Sequence, residues 1–68
     1  MKYTIIDYKD RYEAFANTKG QAMANAINHC VAEGLTVAHV QYNGGTTIIW
    51  YIDPDDEGMY TIYIEENA

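Results

Sequence analysis

The feature that most constrains the fold of this chain is a run of five large apolar side chains between two turn signals. The run occupies residues 48–52 (Ile-Ile-Trp-Tyr-Ile), after the Asn43-Gly44-Gly45 turn and before an acidic loop at residues 53–58. Successive side chains of a strand point to opposite faces of its sheet. An antiparallel sheet with one face in water should alternate apolar and polar residues. This run therefore predicts a strand whose sheet is apolar on both faces.

The sequence predicts five strands from its β-branched and aromatic residues and from the turns between them. The predicted strands span residues 3–8, 11–16, 35–42, 46–52 and 59–65. Lys9-Asp10 forms a tight turn between the first two, and Asn43-Gly44 is a strong hairpin signal. Pro54 and Gly58 bracket the longer acidic loop.

One helix is predicted over residues 19–33. Thr18 is a natural N-cap, Gln21 completes a capping box, and Gly34 stands where a left-handed residue ends many helices. Apolar residues recur at helical spacing along one stripe. The stripe comprises Ala22, Met23, Ala26, Ile27, Cys30 and Val31.

These elements predict a single α+β domain over residues 1–68, in the order β-β-α-β-β-β. Its one helix packs on one face of a mostly antiparallel sheet. With residue 42 opposite 45 and residue 52 opposite 59, the last three strands divide into two faces. A Gly44-Gly45 turn would shift the first pairing by two residues and leave both faces unchanged. One face carries Ala38, Val40, Tyr42, Ile49, Tyr51, Tyr60, Ile62 and Ile64, and the other carries Leu35, Val37, His39, Ile48, Trp50, Ile52, Met59, Thr61 and Tyr63.

Because one narrow helix covers only one face, the face with Trp50 is expected to expose an apolar and aromatic patch, which is typical of an interaction site. The predicted protein-binding residues are Trp50, His39, Ile48, Tyr63 and Val37 on this face, with Asp55, Asp56 and Glu57 of the acidic loop as a negative cluster for a basic partner. Two alternatives remain open. The N-terminal hairpin folds over this face, or a homodimer forms through it.

The charge of the chain limits the classes of partner. Four Lys and Arg against ten Asp and Glu give a net charge of −6, which repels nucleic-acid backbones and anionic membranes and favours positively charged proteins. No apolar run is long enough for a membrane helix, and Asp7 follows the start too soon for a signal peptide. With a single cysteine, these features favour the cytosol.

No catalytic set, metal site or cofactor site is predicted. Cys30 is the only cysteine, and His29 beside it in a helix points elsewhere, so the two make a poor ligand pair. His39 has no nucleophile or carboxylate assembled with it. The loop at residues 53–58 lacks the spacing of a calcium-binding EF-hand. An enzyme is therefore not expected.

The segment from Tyr12 to Val40 combines a short strand, the run Ala16-Asn17-Thr18-Lys19-Gly20-Gln21-Ala22, an Ala-rich helix, Gly34 and a strand that begins Leu35-Thr36-Val37. It resembles the strand–helix–strand core of small phage-encoded inhibitors, which include inhibitors of bacterial RNA polymerase and anti-CRISPR proteins. The resemblance implies a non-enzymatic protein, encoded by a phage or mobile element, that blocks a large host machine in the host cytoplasm. An acidic inhibitor of this kind would cover a basic nucleic-acid channel. The alternatives are an RNA polymerase inhibitor and a homodimeric structural or accessory protein.

Overall fold

The computed structural model describes residues 2–67, and in it every predicted element forms with ends within one residue of those expected. The elements are β1 (Tyr3–Asp7), β2 (Tyr12–Ala16), α1 (Lys19–Ala32), β3 (Thr36–Asn43), β4 (Thr46–Asp53) and β5 (Gly58–Glu66). The predicted α+β fold, with one helix and an antiparallel sheet, is confirmed.

All five strands belong to one sheet in the order β2-β1-β5-β4-β3, and every neighbouring pair is antiparallel. β1 pairs with β5, with Ile5 opposite Ile64 and Ile6 opposite Tyr63. The N-terminal hairpin therefore widens the sheet. The alternative in which this hairpin folds over the second face is wrong, because the backbone of β1 is used to pair with the edge of β5.

Local sequence signals define both ends of α1. The Thr18 hydroxyl accepts a hydrogen bond from the Gln21 amide at 3.1 Å. At the other end Gly34 has a φ of 71°. The Leu35 amide donates to the Cys30 carbonyl at 2.8 Å and the Gly34 amide to the Val31 carbonyl at 3.2 Å. These two bonds form a Schellman motif, which a glycine at this position favours.

The helix packs through a line of small residues spaced by four. Ala22, Ala26 and Cys30 are buried, while Met23 and Ile27 are half-buried beside them. Val31 was predicted to belong to this stripe, but it is 73% exposed. It lies one residue beyond Cys30 on the helix surface, and the packed stripe is too narrow to include it.

The core lies between this stripe and one face of the sheet, here called the covered face. Its buried sheet residues are Ile5, Ala16, Ile49, Tyr51, Ile62 and Ile64. Apart from Ala16 these are large side chains, and they pack against the small residues of α1. This complementarity of large and small residues brings the helix close to the sheet.

The strand register confirms the predicted faces except at the start of β3. Ile52 lies opposite Met59 as expected, and Tyr42 lies opposite Thr47, which is the alternative pairing shifted by two. A β-bulge at Ala38 separates the pairing of Val37 from that of His39. One extra residue reverses the alternation, so Val37 joins the covered face. Its predicted place beside Trp50 was wrong.

Candidate functional site

The second face of the sheet, here called the open face, has a centre of large apolar side chains. They are Ile6, Ile48, Trp50, Ile52, Met59 and Tyr63. Met59 is 59% exposed, and the other five are half-buried because neighbours on a sheet shield one another. Among residues 2–67 the single helix lies on the covered face, and no element forms a layer over this one.

Polar residues surround this apolar centre. On the β2 edge of this face Glu13 lies opposite Ile6, and on the β3 edge Gln41 lies opposite Ile48. Glu65 lies between Thr4 and Thr46 at one end. The strand positions of this face therefore include two carboxylates and no Lys or Arg. An apolar centre with a polar rim is the typical anatomy of a protein–protein interface.

Trp50 occupies the middle of β4 on the open face, between His39 on β3 and Thr61 on β5. The Trp50 and His39 rings are 5.4 Å apart and tilted by 40°. The open face thus brings together four of the five sheet residues predicted for binding: Trp50, His39, Ile48 and Tyr63. Val37 is the one that it excludes.

Three aromatic or apolar residues of the N-terminal hairpin also belong to this surface and were missed from the sequence. Ile6 pairs with Tyr63. Tyr8 is 72% exposed, and its ring meets that of Tyr63 edge-on at 6.1 Å. Phe15 is half-exposed on β2. Finding them required knowing that the hairpin extends the sheet, and no local pattern carries that information.

The acidic loop is tied back to the N-terminal hairpin by Lys9. The Lys9 ammonium lies 2.7 Å from Asp53 Oδ2, 3.6 Å from Asp56 Oδ2 and 4.5 Å above the Tyr60 ring. The Tyr60 hydroxyl donates to Asp56 Oδ2 at 2.6 Å. The three predicted loop contacts, Asp55, Asp56 and Glu57, are all exposed, and Asp56 is also engaged within the chain.

These contacts lower the pKa values of the loop carboxylates and raise those of the groups that donate to them. The hydrogen bond with Lys9 lowers the pKa of Asp53 below its usual value and raises that of Lys9. The hydrogen bond from Tyr60 lowers the pKa of Asp56 and raises that of the tyrosine. At neutral pH the loop therefore holds ionised carboxylates next to an ammonium group.

A buried polar cluster that no local sequence pattern predicts lies under the helix. Asp7 has no exposed surface, and the Tyr51 hydroxyl donates to both of its oxygens at 3.0 and 2.9 Å. The amides of Lys9 and Asp10 donate to Asp7 Oδ1 at 3.1 and 3.4 Å. His29 Nε2 lies 3.2 Å from Asp7 Oδ2. A buried carboxylate is tolerated when it is paired in this way.

His29 connects the helix to this cluster. Its ring stacks on the Tyr12 ring, with the two ring centres 4.0 Å apart and the ring planes at 10°. Its Nε2 also lies 3.6 Å from Asp10 Oδ2. Since Asp7 accepts hydrogen bonds, Nε2 acts as a donor toward it. Burial raises the pKa of Tyr51, and its bond to Asp7 raises it further. Burial also raises the pKa of Cys30. Both groups therefore remain protonated at neutral pH.

The cluster contains the ligand types that bind divalent transition metals. The ligand atoms of Asp7, Asp10 and His29 lie within 4.8 Å of one another. However, the oxygens of Asp7 already accept bonds from Tyr51, His29 and two backbone amides. The arrangement is that of a satisfied polar network, which joins β1, α1 and β4. Residues 2–67 enclose no ligand-sized cavity.

Comparisons of this chain with protein-family models, with curated proteins and with solved structures find no match. Across residues 2–67, no helix has the length and apolar character needed to cross a bilayer.

Proposed function

We propose that this chain is a non-enzymatic inhibitor that docks through its open face on a host nucleic-acid-handling complex. The observation that carries the proposal is the uncovered centre of the open face, where Trp50 and Tyr63 lie among aliphatic residues inside a polar rim. An anti-CRISPR role, by resemblance to the small phage-encoded inhibitors, is the most specific form of this proposal.

The energetics of the surface favour a protein partner. Covering apolar surface contributes ~25 cal/mol per Å². Trp and Tyr are the residue types that most often dominate interface energies. The strand backbone fixes the places of these side chains, so less ordering is needed when the open face docks.

The charges indicate what kind of partner it is. The net charge is −6, and two of the four basic residues are engaged within the chain. Lys9 pairs with Asp53, and Lys19 lies 4.6 Å from the centre of the Tyr42 ring. A partner with a basic surface would meet Glu13 and Glu65 at the rim. Proteins that hold nucleic acid present such surfaces.

Self-association through the open face fits these charges less well, because two acidic rims would meet. RNA polymerase remains a second target with the same basic chemistry. The identity of the subunits captured from a host lysate distinguishes it from a CRISPR surveillance complex.

The test is capture of a partner by the tagged protein from nuclease-treated host lysate, with release by heparin, a polyanion that occupies basic surfaces. Wild type should retain a nucleic-acid-handling complex, and heparin should elute it. Trp50→Ala should weaken binding of the purified complex by ~30-fold or more, which corresponds to ~2 kcal/mol.

The matched control is Val31→Ala, which truncates an exposed apolar residue on the far side of the helix. This variant should bind like wild type. Trp50 is the only tryptophan, so its fluorescence emission should also change when the complex forms. Capture that is unaffected by Trp50→Ala, or a partner that heparin does not displace, would contradict the proposal.

A further inference from the structure

The outer edge of β3 is the longer of the two edges of the sheet. β3 is the last strand in the order, and it spans eight residues, compared with five for β2 at the opposite edge. Every second residue of an edge strand directs its amide and carbonyl away from the sheet, where another strand can pair with them. β3 thus presents backbone groups that can accept one more strand.

This edge has little of the usual protection against pairing. Natural edge strands are commonly blocked by Lys, by Pro or by inward-pointing charges. β3 contains no Asp, Glu, Lys, Arg or Pro. The bulge at Ala38 interrupts regular pairing at the start of the strand and leaves residues 39–43 regular. The Lys19 ammonium of α1 lies 4.6 Å from the centre of the Tyr42 ring, on the covered side of the strand, so it does not occupy the outward backbone groups.

We propose that a second copy of this chain pairs with β3 in antiparallel orientation, around a two-fold axis that passes beside Gln41. In this register Gln41 faces Gln41 of the second copy. Val40 faces Tyr42 of the second copy, and His39 faces its Asn43. The result is a ten-stranded sheet built from two five-stranded halves.

The register follows from the faces that the structure assigns to these residues. Val40 and Tyr42 pair with Ile49 and Thr47 on the covered side, whereas Gln41 lies on the open side. Both helices lie on the same surface of the joined sheet only if each covered-face residue of one β3 pairs with a covered-face residue of the other. Among these, the axis at Gln41 uses all of residues 39–43. It also forms aromatic–aliphatic pairs, which stabilise antiparallel strands.

Charge opposes a second copy less at the β3 edge than over the rest of the surface. Two chains with a net charge of −6 repel each other through most of their surfaces. The paired segment itself carries no Asp, Glu, Lys or Arg, so no charged strand residues face each other across the axis. The charge that lies against the segment is Lys19 of α1, above the Tyr42 ring. At the β2 edge, by contrast, Glu13 would enter the contact. Pairing through β3 leaves the centre of the open face accessible. The proposed dimer therefore does not depend on whether the open face binds a partner.

The test places charges on the proposed axis. Gln41→Lys and Gln41→Glu each put identical charges opposite each other, and like charges directly opposite destabilise a strand pair. Sedimentation of wild type between ~10 and ~500 μM, a range suited to a small interface, should show a monomer–dimer equilibrium. Each variant alone should dimerise at least ~10-fold more weakly. An equimolar mixture of the two should restore the dimer, since Lys then faces Glu.

Phe15→Lys at the β2 edge is the matched control and should dimerise like wild type. Circular dichroism melting should show that all variants are folded, because both positions are exposed. The proposal is overturned if wild type remains monomeric throughout this range, or if the charge-swap mixture fails to dimerise. Loss of the dimer in Phe15→Lys or Trp50→Ala, with Gln41→Lys unaffected, would also overturn it, and would place the contact elsewhere.

Discussion

The two faces of the sheet use neighbouring residues of similar hydrophobicity for different purposes. On β4, Ile49 and Tyr51 are fully buried on the covered face, while Ile48 and Trp50 are only partly buried on the open face. Hydropathy alone does not separate these pairs. What separates them is the alternation of the strand and the presence of one helix, so the side of the sheet determines whether a residue contributes to folding or is available for binding.

Polar groups differ between the faces in the same way. On the covered face, Asp7 is satisfied by Tyr51, His29 and backbone amides inside the fold. On the open face, Glu13 and Glu65 are exposed at the rim. The polar group of the covered face therefore finds its hydrogen-bond partners within the fold, whereas those of the open face are accessible to water or to a partner protein. Substitutions on the two faces should have separable effects.

The largest effect is expected from Ile49→Ala on the covered face. Truncating a fully buried Ile typically costs ~2–5 kcal/mol of stability, and a domain of this size holds only ~3–5 kcal/mol. Chemical denaturation followed by circular dichroism should show a largely unfolded variant. Ile48→Ala, one residue away on the open face, should cost ~1 kcal/mol or less. Equal losses in the two variants would refute the separation of the faces.

Tyr51→Phe should produce the next largest effect. It leaves the buried Asp7 carboxylate without the hydroxyl that contacts both of its oxygens, and a hydrogen bond to a charged group contributes ~1.5–3 kcal/mol. Tyr60→Phe is the control, because its hydroxyl donates to the exposed Asp56. Denaturation midpoints should fall clearly for the first variant and only slightly for the second. A similar fall in both would mean that the buried cluster contributes no more than a surface bond.

The same tyrosine should also make stability depend on alkaline pH. The folded-state pKa of Tyr51 lies above its ordinary value of 10.0. Its contribution is therefore present in full below pH 10 and decreases as the pH rises toward the folded value, since the unfolded state releases the proton first. Wild type should lose more stability between pH 9 and ~11 than Tyr51→Phe does. Parallel losses would contradict this assignment.

Trp50→Ala should leave the fold largely intact. Trp50 is half-buried among open-face neighbours, whereas truncation of a core Trp typically costs ~3–5 kcal/mol. We expect a smaller loss, of about 1–2 kcal/mol, because Trp50 is only partly buried, by its neighbours on the open face, and no helix packs on it. Thermal melting should remain cooperative and close to wild type. Global unfolding of this variant would mean that the open face contributes to the core.

The sequence was sufficient for those features that depend on local patterns. Thr18, Gly34 and the four-residue spacing of Ala22, Ala26 and Cys30 predict the helix, its caps and its packed side. The glycine turn and the alternation along β4 and β5 predict that Trp50 and Ile49 lie on opposite faces. Each of these signals lies within about ten residues of the element that it describes.

Features that depend on distant pairing could not be predicted in this way. The addition of β1 to β5 joins residues near opposite ends of the chain, with Ile5 opposite Ile64. Asp7 forms hydrogen bonds with His29 and Tyr51, which are 22 and 44 residues away in the sequence. The bulge at Ala38 is hidden for another reason. Val37, Ala38 and Val40 are all small and apolar, so either alternation fits them equally well.

Acid should weaken the contact between Lys9 and the acidic loop, and the resulting loss of stability should be smaller than those expected for the substitutions above. Because the pKa of Asp53 is lowered from its ordinary value of 3.8, its contribution is present above that pH. The contribution is lost as the pH falls further through the folded value. Asp53→Asn should therefore flatten the decline of the melting temperature below pH 4. The effect should shrink at high salt, since the pair is exposed to solvent.

Asp55→Asn is the control for this test, because Asp55 forms no ion pair among the described residues. It should follow the wild-type acid profile. An identical profile for Asp53→Asn would mean that the contact with Lys9 contributes nothing measurable, which is the outcome for many surface pairs.

The smallest effect is expected from metal ions. A divalent ion at Asp7, Asp10 and His29 would have to displace donors that already occupy the Asp7 oxygens, including the Tyr51 hydroxyl. We therefore expect that neither EDTA nor added Zn²⁺ or Mn²⁺ changes the melting temperature. A structural zinc would contribute ~10 kcal/mol or more, and even a weak site filled at ~100-fold its dissociation constant would add ~2.7 kcal/mol. If stabilisation by Zn²⁺ is seen in wild type and is lost in Asp10→Asn, the cluster is a metal site. The covered face would then bind a ligand as well as stabilise the fold, and the functional separation of the two faces would be incomplete.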